Sequence, residues 1–134
     1  MAGFWVYCVQ KNIDRSGGAG LPGAMGESMH LSKQIESMYD DAVRIRQDLH
    51  RIPEIGFQLR DTQAYVLREL KQCGPDRIET PAVCGVKAVF FAKDAETTIA
   101  FRADMDGIHN DEANDVPYCS QRPGNMHGCG HDGH

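Results

Sequence analysis

The chain has 134 residues, of which 41% are hydrophobic and 25% are charged, an ordinary composition for a globular protein. This length fits one domain and is sufficient to bury a core. Lysine and arginine total 14 against 19 aspartates and glutamates, so the net charge is -5. No segment combines clustered basic residues with aromatic ones, so we do not expect a nucleic acid partner.

The chain has no apolar run of the roughly 20 residues that cross a bilayer, so we expect no membrane partner. The apolar opening, residues 1–9, follows no basic residue and ends early at Gln10-Lys11-Asn12, unlike a secretory signal. The five cysteines are odd in number and irregularly spaced, which favours reduced thiols over a disulfide framework. These observations predict a cytoplasmic protein.

Residues 1–28 differ from the rest because residues 16–26 are mostly glycine and other small residues. Such a stretch buries too little apolar surface to offset the entropy of ordering it. We therefore predict that residues 1–28 are a disordered extension and that residues 29–134 are the folded part. Met25 and Met29 are alternative starts for that part.

A first helix is predicted from the N-cap residue Ser32 to the segment before Pro53, because the residue before a proline avoids helical geometry. Its residues that recur at helical spacing are Ile35, Met38, Tyr39, Ala42, Val43, Arg46 and Leu49. A second helix begins near Asp61 or Thr62 and ends at Cys73-Gly74-Pro75, a typical stop. Its inward-facing residues are Tyr65, Val66, Leu67 and Leu70.

Two strands follow, over residues 86–92 and 97–103, because both runs are rich in β-branched or aromatic residues. A charged turn, residues 93–96, separates them. After Ala103 the chain shows neither helical nor strand periodicity and is crowded with Asp, Asn, His, Gly and Pro. Loops at strand ends are where protein scaffolds usually carry their chemistry.

Asp104-Met105-Asp106 places two carboxylates directly after the second of these strands. Residues two apart in an extended segment point to the same side, so the pair can orient a metal-bound imidazole or hold a cation. The alternative is a solvated turn, since aspartate is common in turns.

His127, Cys129, His131 and His134 bring four potential metal ligands into eight residues, separated by flexible glycines. Thiolate and imidazole ligands suit Zn²⁺ and other first-row divalent ions. The spacing is not that of a zinc finger, whose ligand pairs are separated by a longer insert. The alternative is a histidine-rich tail that binds metal adventitiously.

Three segments together resemble one known family: residues 46–57, residues 101–106 and residues 117–134. The family is the amidohydrolase branch of the metal-dependent aminoacylase and carboxypeptidase superfamily. That branch includes hippurate hydrolases, auxin-conjugate hydrolases and N-acyl amino-acid deacetylases. The resemblance runs from about Ile35 to His134 and keeps the motifs in the family's order.

The resemblance implies an α/β fold, the N-terminal part of a metallohydrolase catalytic domain with helices packed on a mixed sheet. It implies hydrolysis of the amide bond of a small N-acyl amino acid at a two-metal centre containing manganese or zinc. Cys129 and His131 match metal ligands of the family, and Asp106 matches the catalytic-site aspartate that orients a ligand. Full-length members are often dimeric through a domain inserted later in the chain.

The chain departs from the family pattern in three places near these motifs. Gly107 and Gly128 stand where alanine is usual, and Ile108-His109 replaces Leu-Pro. In the family, the general-base glutamate, the remaining ligands and the dimerisation domain lie beyond the position of His134. We therefore expect no amidase activity from this chain alone. The alternative function is a small, non-catalytic metal-binding or interaction module that uses the His/Cys cluster.

Overall fold

The computed structural model describes residues 5–10, 33–91 and 98–134, and the side chains of the last two ranges. Its two longer helices are α1 (Tyr39–His50) and α2 (Arg60–Gln72). Its strands are β1 (Trp5–Gln10), β2 (Arg77–Glu79), β3 (Val86–Phe90), β4 (Thr98–Ala103), β5 (Ile108–His109) and β6 (Asn125–Met126). A 3-10 turn at His131–Gly133 follows β6. Within the described residues, no helix is long and apolar enough to cross a membrane.

Four strands form a mixed sheet in the order β2-β3-β1-β4, which agrees with the predicted α/β class. Strand β1 runs parallel to β3 and antiparallel to β4, with Tyr7 opposite both Ala88 and Phe101. Strand β2 runs antiparallel to β3. The two strands predicted from the sequence, β3 and β4, are therefore both present but are not neighbours. The charged turn between them lies outside the described residues.

Strand β1 corrects the prediction that residues 1–28 are disordered, because Trp5–Gln10 form a strand in the middle of the sheet. The aromatic and β-branched residues of this run favour a strand, and the backbones of β3 and β4 each supply an edge for it to pair with. The prediction gave too much weight to the small-residue stretch that follows. The rest of residues 1–28 lies outside the described residues.

Helix α1 is shorter than predicted, because residues 33–37 form a separate helical segment and the chain turns at Met38. Ser32, the predicted N-cap, lies outside the described residues. The apolar residues at the start of this region are not buried: Ile35, Met38 and Tyr39 are 62%, 64% and 68% exposed. Helical spacing indicates that these apolar residues lie on one face of a helix. It does not show whether other parts of the chain pack against that face.

Helix α2 agrees with its prediction at both ends and packs against the sheet. Tyr65 and Leu70 are buried, and Val66 and Leu67 pack at the edge of the core. After the C-cap residue Cys73, Gly74 adopts a φ of +65°, the left-handed conformation that ends many helices. The buried core that α2 shares with the sheet and its neighbouring loops contains Leu59, Leu70, Cys84, Val86, Ala88 and Met105.

Candidate metal centre

The candidate site lies where the loop after β4 meets the turn at residues 127–134. The short strands β5 and β6 join these segments, with Ile108 opposite Met126. The loop is also held from the other side, because the N–H of Gly107 donates a hydrogen bond of 2.7 Å to the carbonyl of Glu54. The two motifs that the sequence suggested are thus brought together by backbone pairing.

His131 is oriented by Asp106. Its Nδ1 lies 2.9 Å from the backbone carbonyl oxygen of Asp106 and 3.0 Å from Oδ1 of the same residue. Both partners are acceptors, so Nδ1 carries the proton and donates, and Nε2 keeps its lone pair. A carboxylate that fixes the tautomer of an imidazole in this way is the usual support of a metal-binding histidine.

Asp104 and His134 lie near the Nε2 side of the His131 ring. Nε2 of His131 is 3.9 Å from Oδ2 of Asp104, beyond hydrogen-bond reach. The two imidazole rings have centroids 5.2 Å apart. One potential ligand atom from each of Asp104, His131 and His134 lies within 4.8 Å of the others. A carboxylate with two imidazoles is a donor set that suits manganese and zinc.

Cys129, the other predicted ligand, is exposed and lies on the Asp106 side of His131. Its Sγ is 3.6 Å from the backbone carbonyl oxygen of Asp106. The structure thus brings Cys129 and His131 to the same aspartate. Among the described residues, the three-donor cluster does not include Cys129 and includes Asp104 and His134 instead.

His127 is buried, and neither of its ring nitrogens has a hydrogen-bond partner among the described residues. Burial lowers the pKa of this imidazole, which favours the neutral ring. Its centroid lies 6.2 Å from that of His50. His127 also lines the cavity beside the cluster.

Sequence reasoning missed a buried polar network directly behind this cluster. Nδ1 of His50 lies 2.8 Å from Oδ2 of Asp132, and Nε of Arg46 donates to the same oxygen at 2.8 Å. Nε2 of His50 lies 3.0 Å from Oε1 of Glu112. Both nitrogens of His50 can donate to these carboxylates only when the ring is protonated. The only sequence signal was that His50 and Asp132 both fall in the segments with family resemblance.

Glu112 is the most strongly perturbed carboxylate of this network. The hydrogen bond with His50, together with one of 2.7 Å from the N–H of Ser120, lowers the pKa of Glu112 to about 2. Its side chain is only 3% exposed. Burial alone would raise the pKa of this carboxyl group, but the hydrogen bonds to its charged form outweigh that effect. Glu112 therefore stays ionised inside the fold and stabilises the network.

A cavity of about 500 Å³ opens beside the cluster, between the two helices and the terminal turn. Asp104, His131 and His134 are among its lining residues. The remaining wall is largely apolar and includes Ala42, Ile45, Leu49, Val66 and Leu70. A mostly apolar cavity with a small number of polar groups in its wall is a typical small-molecule site.

Residues 100–134 match the sequence profile of peptidase family M20/M25/M40. The chain is 41% identical over 98 residues to an N-acetyldiaminopimelate deacetylase of Exiguobacterium sibiricum, covering 69% of the chain and 25% of that protein. It is 43% identical over 96 residues to the N-acetyldiaminopimelate deacetylase of Bacillus subtilis, covering 71% of the chain and 26% of that protein. The chain thus spans about a quarter of the length of these relatives.

The fold is similar to that of a dinuclear metal-binding peptidase of the M20 family from Bacillus subtilis. The TM-score is 0.55 with 25% sequence identity, over 72% of this chain and 27% of the other. The similarity therefore covers most of the present chain and, as with the deacetylases, a limited part of its relative.

Proposed function

We propose that this chain, which corresponds to part of an amidohydrolase of the M20 family, contributes ligands of a two-metal centre that hydrolyses N-acyl amino acids. The contact that carries the proposal is the one between Asp106 and His131, at 3.0 Å. It supports the assignment of His131 as a ligand and of Asp106 as its orienting carboxylate. Cys129, next to the same carbonyl, is the second proposed ligand.

The chain's own residues would position and enclose the reaction. Asp106 holds the proton of His131 on Nδ1 and so keeps Nε2 available. Bound manganese or zinc would polarise the amide carbonyl and lower the pKa of a water molecule. The apolar wall of the cavity would shelter the acyl group and exclude bulk water from the amide.

The substrate class follows from the relatives. Both deacetylases act on an N-acetylated amino acid by name, so we propose an N-acetyl or other short N-acyl amino acid as substrate. The cavity, at about 500 Å³, has room for a molecule of that size.

We also propose a cytoplasmic location, supported by five irregularly spaced cysteines that suit a reducing compartment.

A chimera tests this proposal. Residues 35–134 would replace the matching segment of the Bacillus subtilis deacetylase, and hydrolysis of N-acetyldiaminopimelate would be measured. We expect an active chimera whose turnover falls by about 100-fold or more with Cys129→Ser or His131→Ala, because each removes a ligand. Cys119→Ser, a thiol that contacts Asn114 in the preceding loop, serves as the matched control and should leave turnover unchanged.

Two results would count against the proposal. One is an active chimera that tolerates both ligand substitutions. The other is a folded chimera that binds two metal ions but does not hydrolyse the substrate.

A further inference from the structure

We propose that α1 and the helical segment before it, residues 33–37, form the interface of a symmetric dimer in which the α1 helices of two copies of this chain pair in parallel. This inference goes beyond the proposed hydrolase function and does not rest on it. It uses no proposed metal ligand. It also uses a different surface from the later domain to which the family resemblance assigns dimerisation.

An apolar seam runs along this helical region, with its members alternately three and four residues apart. They are Ile35, Met38, Ala42, Ile45 and Leu49. Met38 has right-handed helical backbone angles, φ -92° and ψ -4°, and its carbonyl accepts a hydrogen bond of 2.9 Å from the N–H of Ala42. The helical path therefore continues from Met38 into α1. The spacing is that of the a and d positions of a coiled coil, through which two helices pack against each other.

The first half of the seam is open to solvent, and the second half lines the cavity between α1 and α2. Ile35 and Met38 are 62% and 64% exposed, and Ala42 is exposed as well. Ile45 and Leu49 are half-buried in the cavity wall. Large apolar side chains that repeat along one exposed helix face are typical of a surface that binds another helix.

The charges beside the seam favour a second copy of this chain as the partner. In the heptad that the seam defines, Asp41 occupies a g position and Arg46 occupies the next e position. In a parallel pair, the g residue of one helix lies opposite the following e residue of the other. Asp41 therefore meets Arg46 of the second copy, and the symmetry of the dimer forms the same ion pair a second time.

Both charged groups are accessible for these contacts. The side chains of Asp41 and Arg46 are 75% and 41% exposed. Asp41 lies at 3.5 Å from Arg44 of its own helix, a long contact that is easily exchanged. Arg46 uses Nε for Asp132, and a guanidinium has five N–H donors in all, so it can bind a second carboxylate as well.

The same charges disfavour an antiparallel pair. That arrangement brings the g positions of the two helices together, so Asp41 of one copy would lie near Asp48 of the other. Like charges across an interface oppose association and so select against that orientation. The seam and its flanking charges together specify parallel pairing.

Sedimentation velocity of the whole purified chain, over a range of concentrations, tests the inference. We expect an equilibrium between monomer and dimer. Met38→Lys should raise the dissociation constant at least about tenfold, because it puts a charge into the apolar seam at a position that is already exposed in the monomer. Val83→Lys is the matched control, because Val83 is 76% exposed and lies in the turn before β3, and it should leave the constant unchanged.

A charge reversal tests the ion pairs. Asp41→Arg places two positive charges opposite each other at each end of the pair, so it should raise the dissociation constant about threefold or more. Asp40→Arg makes the same change in net charge one residue earlier, at an f position that points away from the seam, and serves as the control.

Disulfide cross-linking tests the orientation. In a parallel pair the two copies of position 42 lie opposite each other, so Ala42→Cys should form a disulfide between copies under mild oxidation. Peptide mass spectrometry identifies the linked positions and separates this bond from any that involves a native cysteine. Asp40→Cys is the control and should not link to its own copy.

Four results would overturn the inference. They are a monomer at every concentration, as expected if another part of a longer protein covers the seam; open-ended assemblies in place of a dimer; a dimer that Met38→Lys leaves intact; and equal cross-linking of Ala42→Cys and Asp40→Cys. None of these measurements depends on amide hydrolysis, so the dimer and the proposed function can fail separately.

Discussion

Nδ1 of His50 lies 2.8 Å from Oδ2 of Asp132, so the last residue of α1 is tied to the terminal turn across 82 positions of sequence. Both side chains are almost fully buried, at 6% and 1% exposure. Asp132 directly follows His131. The contact therefore fixes the turn that carries His131, the proposed metal ligand.

His50→Ala is expected to destabilise the fold strongly, because it removes a partner from the buried carboxylates of both Asp132 and Glu112. Breaking one side of a buried ion pair typically costs about 3–5 kcal/mol. Urea unfolding measures the loss. Arg44→Ala is the control: Arg44 pairs with Asp41 at the surface and with Glu69, and its own side chain is 45% exposed. Its loss should destabilise the fold less than the loss of His50, because an exposed guanidinium is well hydrated after its partners are removed. Equal losses in both variants would show that the buried network contributes no special stability.

Glu112 should make stability fall in acid. Its pKa is about 2 in the folded chain against an ordinary value of 4.5, chiefly because of its hydrogen bond with His50. A lowered folded-state pKa gives stability that is complete above 4.5 and is lost as the pH falls towards 2. The urea midpoint of the unaltered chain should therefore drop more steeply over this range than that of Glu112→Gln. Parallel curves for the two proteins would contradict this expectation.

Tyr65 should act in the opposite direction at alkaline pH. Burial, followed by the hydrogen bond of 2.8 Å that its hydroxyl donates to Asp48, raises its pKa from 10.0 to about 12. The folded chain holds this proton more tightly, so the associated stability is complete below 10 and is lost as the pH rises towards 12.

The phenolate absorbance of a pH titration measures this effect. One tyrosine should titrate late, and Tyr65→Phe should remove that late component. Asp48→Asn should shift it to lower pH, because the neighbouring negative charge is gone. A late component that persists in Tyr65→Phe would assign the behaviour to another tyrosine.

Gly107→Ala should destabilise the loop that carries the aspartates, although alanine is usual there in the family. A Cβ at Gly107 would lie 2.8 Å from the carbonyl oxygen of Met126 and 3.0 Å from Cβ of Pro53, both of which are hard to move. Overpacking of this kind costs about 1–3 kcal/mol. At Gly128 the added Cβ meets only side-chain ends, Cδ1 of Ile108 and Cε of Met126. Thermal unfolding should therefore show a smaller loss for Gly128→Ala, and the reverse order would contradict the geometry.

The local elements were predictable because their signals are local. The Cys73-Gly74-Pro75 stop of α2 and the apolar runs of β3 and β4 are read within a few residues. The place of β1 between β3 and β4 could not be predicted in this way, because β1 pairs with strands that lie about 80 residues or more away in the chain.

The same distinction applies to the site. The spacing of Asp104 and Asp106 indicated two carboxylates on one side of a strand end, and the terminal segment indicated metal ligands. The 3-10 turn after Gly130 determines which of these donors lie close together. The hydrophobic pattern of the sequence does not predict the conformation of this turn. The network of His50, Glu112 and Asp132 joins three distant segments, so no single window of sequence contains it.

The position of β1 makes the choice between alternative start methionines matter for the sheet. A polypeptide beginning at Met25 or Met29 would lack the strand that satisfies the inner edges of both β3 and β4. Those edges would present open backbone donors and acceptors, which recruit strands from other molecules. Size-exclusion chromatography of the two forms should show larger assemblies for the shorter one, and identical elution would argue against this role. Residues 5–10 would then protect the sheet against self-association.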